Sequence, residues 1–214
     1  VGRGRYLCFE GVNGCGKSTV AATVEAEIIA AGHRVCPIMF PSGRSTAGML
    51  VRSYLRGDQE LQNPKAMIYL YTADAHLVDP WLRANLASGM HVVADRHTNI
   101  SGRVYQLAHH TKEHIEQLCA TTDLMVPDDL FIIDVPVEVA LERIQMRAKY
   151  ESKHYETKEV ALFEEYRARY LELASTAAAR GLAQRCHVLN GMWRPSELAV
   201  RVFELLGLGR EALG

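Results

Sequence analysis

The 214-residue chain has no C-x-x-C pair, no apolar run long enough to span a bilayer, no repeat, and no low-complexity or Pro/Gly/Ser-rich linker. Each absence removes a class of protein. The five cysteines (Cys8, Cys15, Cys36, Cys119, Cys186) are scattered and odd in number, which argues against a disulfide framework or a thiolate zinc site and predicts a reducing, cytoplasmic setting. Without a long apolar run, neither a membrane span nor a secretory leader is predicted. The formal net charge is −1, so nothing marks a nucleic acid or an anionic membrane as a partner. His109, His110 and His114 cluster, but no cysteine or paired carboxylate stands at ligand spacing, so a solvated helix face accounts for them better. The lack of a linker predicts a single domain over residues 1–214.

What is present alternates. Short β-rich runs at Arg5–Glu10, Arg34–Phe40, His91–Asp95, Asp129–Val135 and Arg185–Asn190 read as strands. Helical periodicity fills Lys17–Ala31, Ser45–Arg56, Pro64–Ser88, Pro136–Arg147, Thr157–Arg180 and Pro195–Leu206, with further helix within Ser101–Thr122. Runs such as Val92-Val93-Ala94 and Phe131-Ile132-Ile133 are apolar without alternation, as strands are when both sheet faces are covered. The prediction is an α/β fold: a central parallel sheet of about five strands flanked by helices, with right-handed crossovers. Ligands in such folds bind at the carboxyl ends of the strands.

The turn after the first strand holds Gly11-Val-Asn13-Gly14-Cys15-Gly16-Lys17-Ser18-Thr19, which satisfies G-x-x-x-x-G-K-[ST] between a strand and a helix. Glycines at 11, 14 and 16 let backbone N–H groups surround a phosphate, and the following helix directs its positive end at the same anion. Lys17 is placed to reach the β- and γ-phosphates of ATP, and the Ser18 hydroxyl to ligate Mg²⁺. Cys15 lies within the loop, where a small core-facing side chain is the simpler reading than a reactive thiol. No N-K-x-D occurs, which excludes the usual guanine-reading GTPases. The third strand ends in Asp95-Arg96, a metal-capable carboxylate beside a phosphate-capable guanidinium, which suits a small kinase whose acceptor itself bears a phosphate.

With these motifs in order, the chain resembles the thymidylate kinases, a family of P-loop nucleoside monophosphate kinases, from its first strand to about Leu206. The marks are Phe9-Glu10-Gly11, Phe40-Pro41 with Arg44-Ser45-Thr46, Tyr71 within Leu70–Asp74, Asp95-Arg96-His97 with Tyr105-Gln106, Pro127-Asp128, Val139–Arg143 and Tyr166–Ala174. The resemblance implies ATP-dependent phosphorylation of dTMP to dTDP with Mg²⁺, in a homodimer for which the Pro64–Ser88 helix is a candidate interface. It implies that Arg44 and Arg96 hold the acceptor's phosphate, Tyr71 stacks on its base, and Phe40 and Pro41 line that pocket. Tyr105 would crowd the sugar C2′, with Asn13, Ser101 and Gln106 nearby. Arg143 would lie against the adenine of ATP, and Asp95 would act on Mg²⁺ or its water shell. The P-loop's variable positions hold no arginine or lysine, so the resemblance assigns the catalytic cation to a lid at about 147–156, carrying Arg147, Lys149 and Lys153.

Four departures from the family pattern fall around the acceptor. Asn13 stands where the family has an acid, and Ala75 where it commonly has an arginine reading a thymine carbonyl. Single extra residues lie between Pro41 and Arg44 and between His97 and Ser101. These leave open a kinase for another or modified pyrimidine deoxynucleotide, with relaxed or redirected base discrimination. An inactive nucleotide-binding regulator is the alternative of a different class, against which Lys17, Ser18, Asp95 and Arg96 all argue.

Overall fold

The computed structural model describes residues 2–148 and 160–207. Five strands, β1 (Tyr6–Glu10), β2 (Val35–Met39), β3 (His91–Asp95), β4 (Asp129–Asp134) and β5 (Arg185–Asn190), pair in the order β2-β3-β1-β4-β5. Every pairing is parallel. All five residues of β1 are buried, as are the first five of β4, which is the burial that their unalternating apolar sequence requires. Pro37 falls in β2, which among the described residues pairs only with β3; an edge strand has an open side on which a missing N–H costs nothing.

The helices are α1 (Lys17–Ala30), α2 (Thr46–Arg56), α3 (Ala66–Ala87), α4 (Thr98–Tyr105), α5 (Lys112–Thr121), α6 (Val137–Ala148), α7 (Val160–Thr176) and α8 (Pro195–Leu205), with a short 3₁₀ turn at Gln106–Ala108. Helices α1 and α8 pack together against one face of the sheet, while α3, α4 and α7 form a connected series on the other. Strand β1 lies at the centre with β3 on one side and β4 on the other. Its carboxyl end is therefore the place where the chain's winding changes direction and a crevice opens.

Local chemistry sets several boundaries. Ser45 caps α2 by accepting from the Gly48 amide at 2.9 Å, and Gly57 ends that helix at φ 82°. The predicted helix at Pro64–Ser88 runs from Ala66 to Ala87 and continues through Pro80. Proline removes one backbone hydrogen bond there, and burial of Val78, Asp79 and Leu82 on either side holds the helix in register. The segment at Ser101–Thr122 resolves into α4, the 3₁₀ turn and α5. His97 caps α4 through Nδ1, which accepts from the Asn99 amide at 3.2 Å, a role that histidine's presence before a helix does not advertise.

Candidate active site

The P-loop wraps the carboxyl end of β1. Gly14 has φ 82°, and a Cβ there would stand 2.2 Å from the Ala140 carbonyl oxygen, so α6 and the loop touch backbone to backbone. Gly16 is the N-cap of α1 at φ 98°, the left-handed region that glycine adopts without strain. Gly11 is buried, Cys15 is 1 % exposed and faces the core, and Thr19 is exposed on the first turn of α1.

Lys17 is 6 % exposed. Burial first, and the Arg96 charge second, push its ammonium below the ordinary lysine value. A buried cation of this kind is stabilised by an anion placed against it, which is what a triphosphate supplies. Next to it on α1, the Ser18 hydroxyl donates to Asp95 Oδ2. The pairing of Phe9 with Asp95 brings the end of β3 beside the P-loop. Asp95 Oδ1 is buried without a partner among the described residues. A hydroxyl and a carboxylate with an unused oxygen are hard oxygen donors of the type Mg²⁺ takes, so the pair fits the metal that the P-loop motif implies.

Arg96, directly after β3, has φ 79°, a left-handed conformation that costs a residue with a Cβ. Its amide donates to the Phe9 carbonyl at 2.9 Å, and its NH2 donates to Asn13 Oδ1 of the P-loop at 2.6 Å. Its NH1 donates to the Tyr170 hydroxyl at 3.0 Å and approaches Glu10 Oε2 at 3.3 Å, while the guanidinium carbon lies 5.1 Å from the Tyr105 ring centroid. Burial works against its charge, yet Tyr105, Tyr170 and Glu10 outweigh that and hold the guanidinium protonated. Asn13, Ser101, Tyr105 and Arg96 are thus gathered at one point. Gln106, 8 % exposed, follows Tyr105, and its Oε1 has no partner among the described residues.

Other anticipated residues lie further off. Phe40 is buried with its ring 6.5 Å from His97, and the Pro41 carbonyl accepts from Arg52 NH1 at 3.1 Å. The carboxylate of Asp74, fully buried on α3, accepts from the Ser42 amide at 2.6 Å, the Ser42 hydroxyl at 2.5 Å and the Ser45 hydroxyl at 2.7 Å, and so ties this loop to α3. Tyr71 is half-buried one turn earlier on the same helix. Arg44 is not brought into the Arg96 group; its guanidinium stacks 3.6 Å over the Trp81 ring. Arg143 joins the P-loop to the turn after β5, donating to the Cys15 carbonyl at 3.1 Å and the Gly191 carbonyl at 3.3 Å. Of the anticipated lid cations, Lys149, Lys153 and the side chain of Arg147 lie outside the described residues.

Ala75 is 4 % exposed. It borders a recess of about 10 Å³ shared with Tyr6, Phe40, Asp79 and Thr98, and the hydroxyls of Tyr6 and Thr98 are buried without partners among the described residues. That volume admits roughly one water. The small residue at position 75 is thus part of the packing around this recess.

A family model for thymidylate kinase matches residues 9–182. The chain belongs to the thymidylate kinase family. It is 32% identical over 203 residues to a thymidylate kinase of Dinoroseobacter shibae, covering 93% of this chain and 94% of that one. It is 31% identical over 209 residues to one of Ruegeria pomeroyi, covering 96% and 95%. A solved thymidylate kinase structure from Candida albicans superimposes with a TM-score of 0.75 at 20% identity, over 96% of this chain and 92% of that one, which establishes the shared fold. The chain is a nucleoside monophosphate kinase, with the P-loop kinase fold that the alternation of its strands and helices predicts.

Two residues at the centre of the site carried no assigned role in the sequence reading. Glu10 is a carboxylate in a strand otherwise apolar, and it is fully buried. A charge in such a place is a signal in itself, since it persists only where donors surround it. Tyr170 gave no comparable signal: one aromatic on an amphipathic helix reads as core, and its hydroxyl's destination depends on the packing of α7.

Proposed function

We propose that this protein transfers the γ-phosphate of ATP to dTMP, with Mg²⁺ as the metal, and releases dTDP and ADP. The observation that carries the reading is the contact of Arg96 with the P-loop at Asn13. It sets a guanidinium suited to an acceptor's phosphate against the loop suited to a donor's. A phosphate oxygen of dTMP attacks the γ-phosphorus, the bond to the β–γ bridging oxygen breaks, and that oxygen leaves on ADP. The acceptor is already anionic, so no side chain need remove a proton. The chain's task is to hold two mutually repelling anions in line.

Lys17 stabilises charge that moves toward the β–γ bridge, and Arg96 holds the attacking phosphate. Ser18 and Asp95 would hold Mg²⁺, whose charge neutralises the phosphate oxygens. Asn13, Tyr105, Ser101 and Gln106 would frame the acceptor's sugar. Phe40, Pro41 and Tyr71 would enclose its base, and Arg44 would reach its phosphate only by leaving Trp81. Arg143 would flank the adenine. Nothing in the fold or among the relatives favours a different pyrimidine or a loss of catalysis. We further propose a homodimer through α3, where Tyr69 and Leu77 are 50% and 63% exposed, and a cytoplasmic setting; among the described residues no helix is long and apolar enough to cross a membrane.

The test is ADP release with ATP and Mg²⁺ against dTMP, dUMP, dCMP, dAMP and dGMP. The expected outcome is a kcat/KM highest for dTMP. ADP release that no monophosphate accelerates would sink the reading, and light scattering of the eluted protein tests the dimer.

A further inference from the structure

The backbone around Arg44 is tied down, while its head group is not. At the start of the loop the Phe40 amide donates to the Asp95 carbonyl at 3.0 Å, beside Arg96. The Ser42 and Ser45 hydroxyls donate to buried Asp74 of α3 at 2.5 and 2.7 Å, and the Arg44 amide donates to Ser42 Oγ at 3.2 Å. The loop is therefore pinned on both sides of residue 44, at the carboxyl end of the sheet. Arg44 itself is exposed, and its guanidinium has no hydrogen-bond acceptor among the described residues. Its contact is the face of Trp81, with the guanidinium carbon 3.6 Å from the ring centroid.

That contact directs the cation away from the site. Trp81 follows Asp74 by seven residues, two turns along the same face of α3, whereas Tyr71 precedes Asp74 by three. At the rise of an α-helix, Trp81 stands about 15 Å from Tyr71 along the axis. The indole is half-buried and packs against the core, so it is a fixed surface. Strand β2 reports the same direction. Burial raises the Cys36 thiol and the Arg44 charge opposes that rise, and Cys36 lies toward the amino end of β2.

We propose that Trp81 is a latch for Arg44: with no acceptor bound the indole holds the guanidinium away from the phosphate position, and the acceptor's phosphate draws it off the ring. The proposal rests on the reading that Arg44 grips that phosphate. A partly exposed cation–π contact is weaker than the charge-assisted, bidentate bond of a guanidinium with a phosphate. A phosphate therefore opens the latch, and a nucleoside without one does not. Because the serines hold the backbone, the exchange needs rotation of one side chain and no refolding of the loop. Trp81 is a positioning residue, and it lowers acceptor affinity by the stability of the stack.

The experiment compares binding of dTMP and of thymidine, which lacks the phosphate, by calorimetry to the wild-type chain, Trp81→Leu, Arg44→Ala and the double variant. Trp81→Leu keeps an apolar side chain against the core. It should bind dTMP about two- to fivefold more tightly than wild type, the equivalent of one cation–π contact, with thymidine affinity unchanged. Arg44→Ala should bind dTMP about tenfold more weakly, and in that background Trp81→Leu should have no further effect. A second measurement leaves Trp81 in place. In Trp193→Phe, where Trp81 is the remaining tryptophan, dTMP should change the indole emission, thymidine should not, and adding Arg44→Ala should abolish the change. Unchanged or weaker dTMP binding by Trp81→Leu, or an emission that dTMP leaves unaltered, overturns the latch. Equal tightening of both ligands by Trp81→Leu shows a packing effect and overturns it as well. If Arg44→Ala binds dTMP as wild type does, the reading of Arg44 fails instead, and the latch with it.

Discussion

The donor and acceptor halves of the site are built in different ways. The proposed donor cradle is nearly one piece of chain: Gly11 to Thr19 supplies the loop, Lys17 and the Ser18 hydroxyl, and β3 adds Asp95 through the register of its pairing with β1. The acceptor grip has no such continuity. Arg96 is held by Glu10 of β1, Asn13 of the P-loop and Tyr170 of α7, and the loop bearing Phe40 and Pro41 is held by Asp74 of α3. A local cradle fails at the residue that is changed. A distributed grip fails through its supports, and by smaller steps.

Lys17→Ala offers the largest effect. On the proposed mechanism the side chain faces charge that develops in the transition state, so kcat should fall by about 10²–10³-fold, with circular dichroism and melting temperature near wild type because the loop's backbone geometry comes from its glycines. Turnover within tenfold of wild type would refute the donor assignment. Asp95→Asn comes next: it keeps an acceptor for Ser18 but removes the charge facing the metal. Half-maximal activity should then need about tenfold more Mg²⁺ or beyond, read by titrating the metal at fixed ATP. An unshifted titration would place the metal elsewhere.

On the acceptor side, Ala75→Arg should act on stability first. Residue 75 has only the small recess beside Phe40 and Asp79 to fill, and overpacking of this kind costs about 1–3 kcal/mol. For a chain of this size each kcal/mol lowers the melting temperature by roughly 2–4 °C. An unchanged melting temperature combined with sharper preference for dTMP over dUMP would show that residue 75 faces the base and that the packing argument is wrong.

The smallest effect is a pH dependence at the start of α4. Burial lowers the His97 pKa below 6.5, and its Nδ1 is the acceptor that caps the helix. A depressed folded-state value means that the unfolded chain takes up the proton first. The stabilisation is therefore complete above pH 6.5 and is lost as pH falls toward the folded value. Melting temperature should drop between pH 7.5 and 5.5, and His97→Asn, which can still cap, should flatten that slope. Parallel slopes in the two proteins would assign the acid sensitivity to other groups.

The legible parts of this protein are those whose physics is local. Periodicity placed every strand within a residue or two of its observed ends, because a strand covered on both faces must be apolar throughout and one bounded by turns must be short. The P-loop could be read as a phosphate-binding motif because nine adjacent residues carry its glycines, its lysine and its serine. The acceptor grip could be read only in part. Arg96 stood out as a cation at the end of an apolar strand, but the hydroxyl to which it donates comes from a residue 74 positions later, and no pattern along the chain specifies where α7 will lie. Arg44 shows the same limit in reverse, since a guanidinium beside the right loop was free to stack on Trp81 once α3 had packed there. Short-range order and residue type are written in the sequence. The partners of a long polar side chain are decided by which elements become neighbours, and that follows from burying the whole core at once.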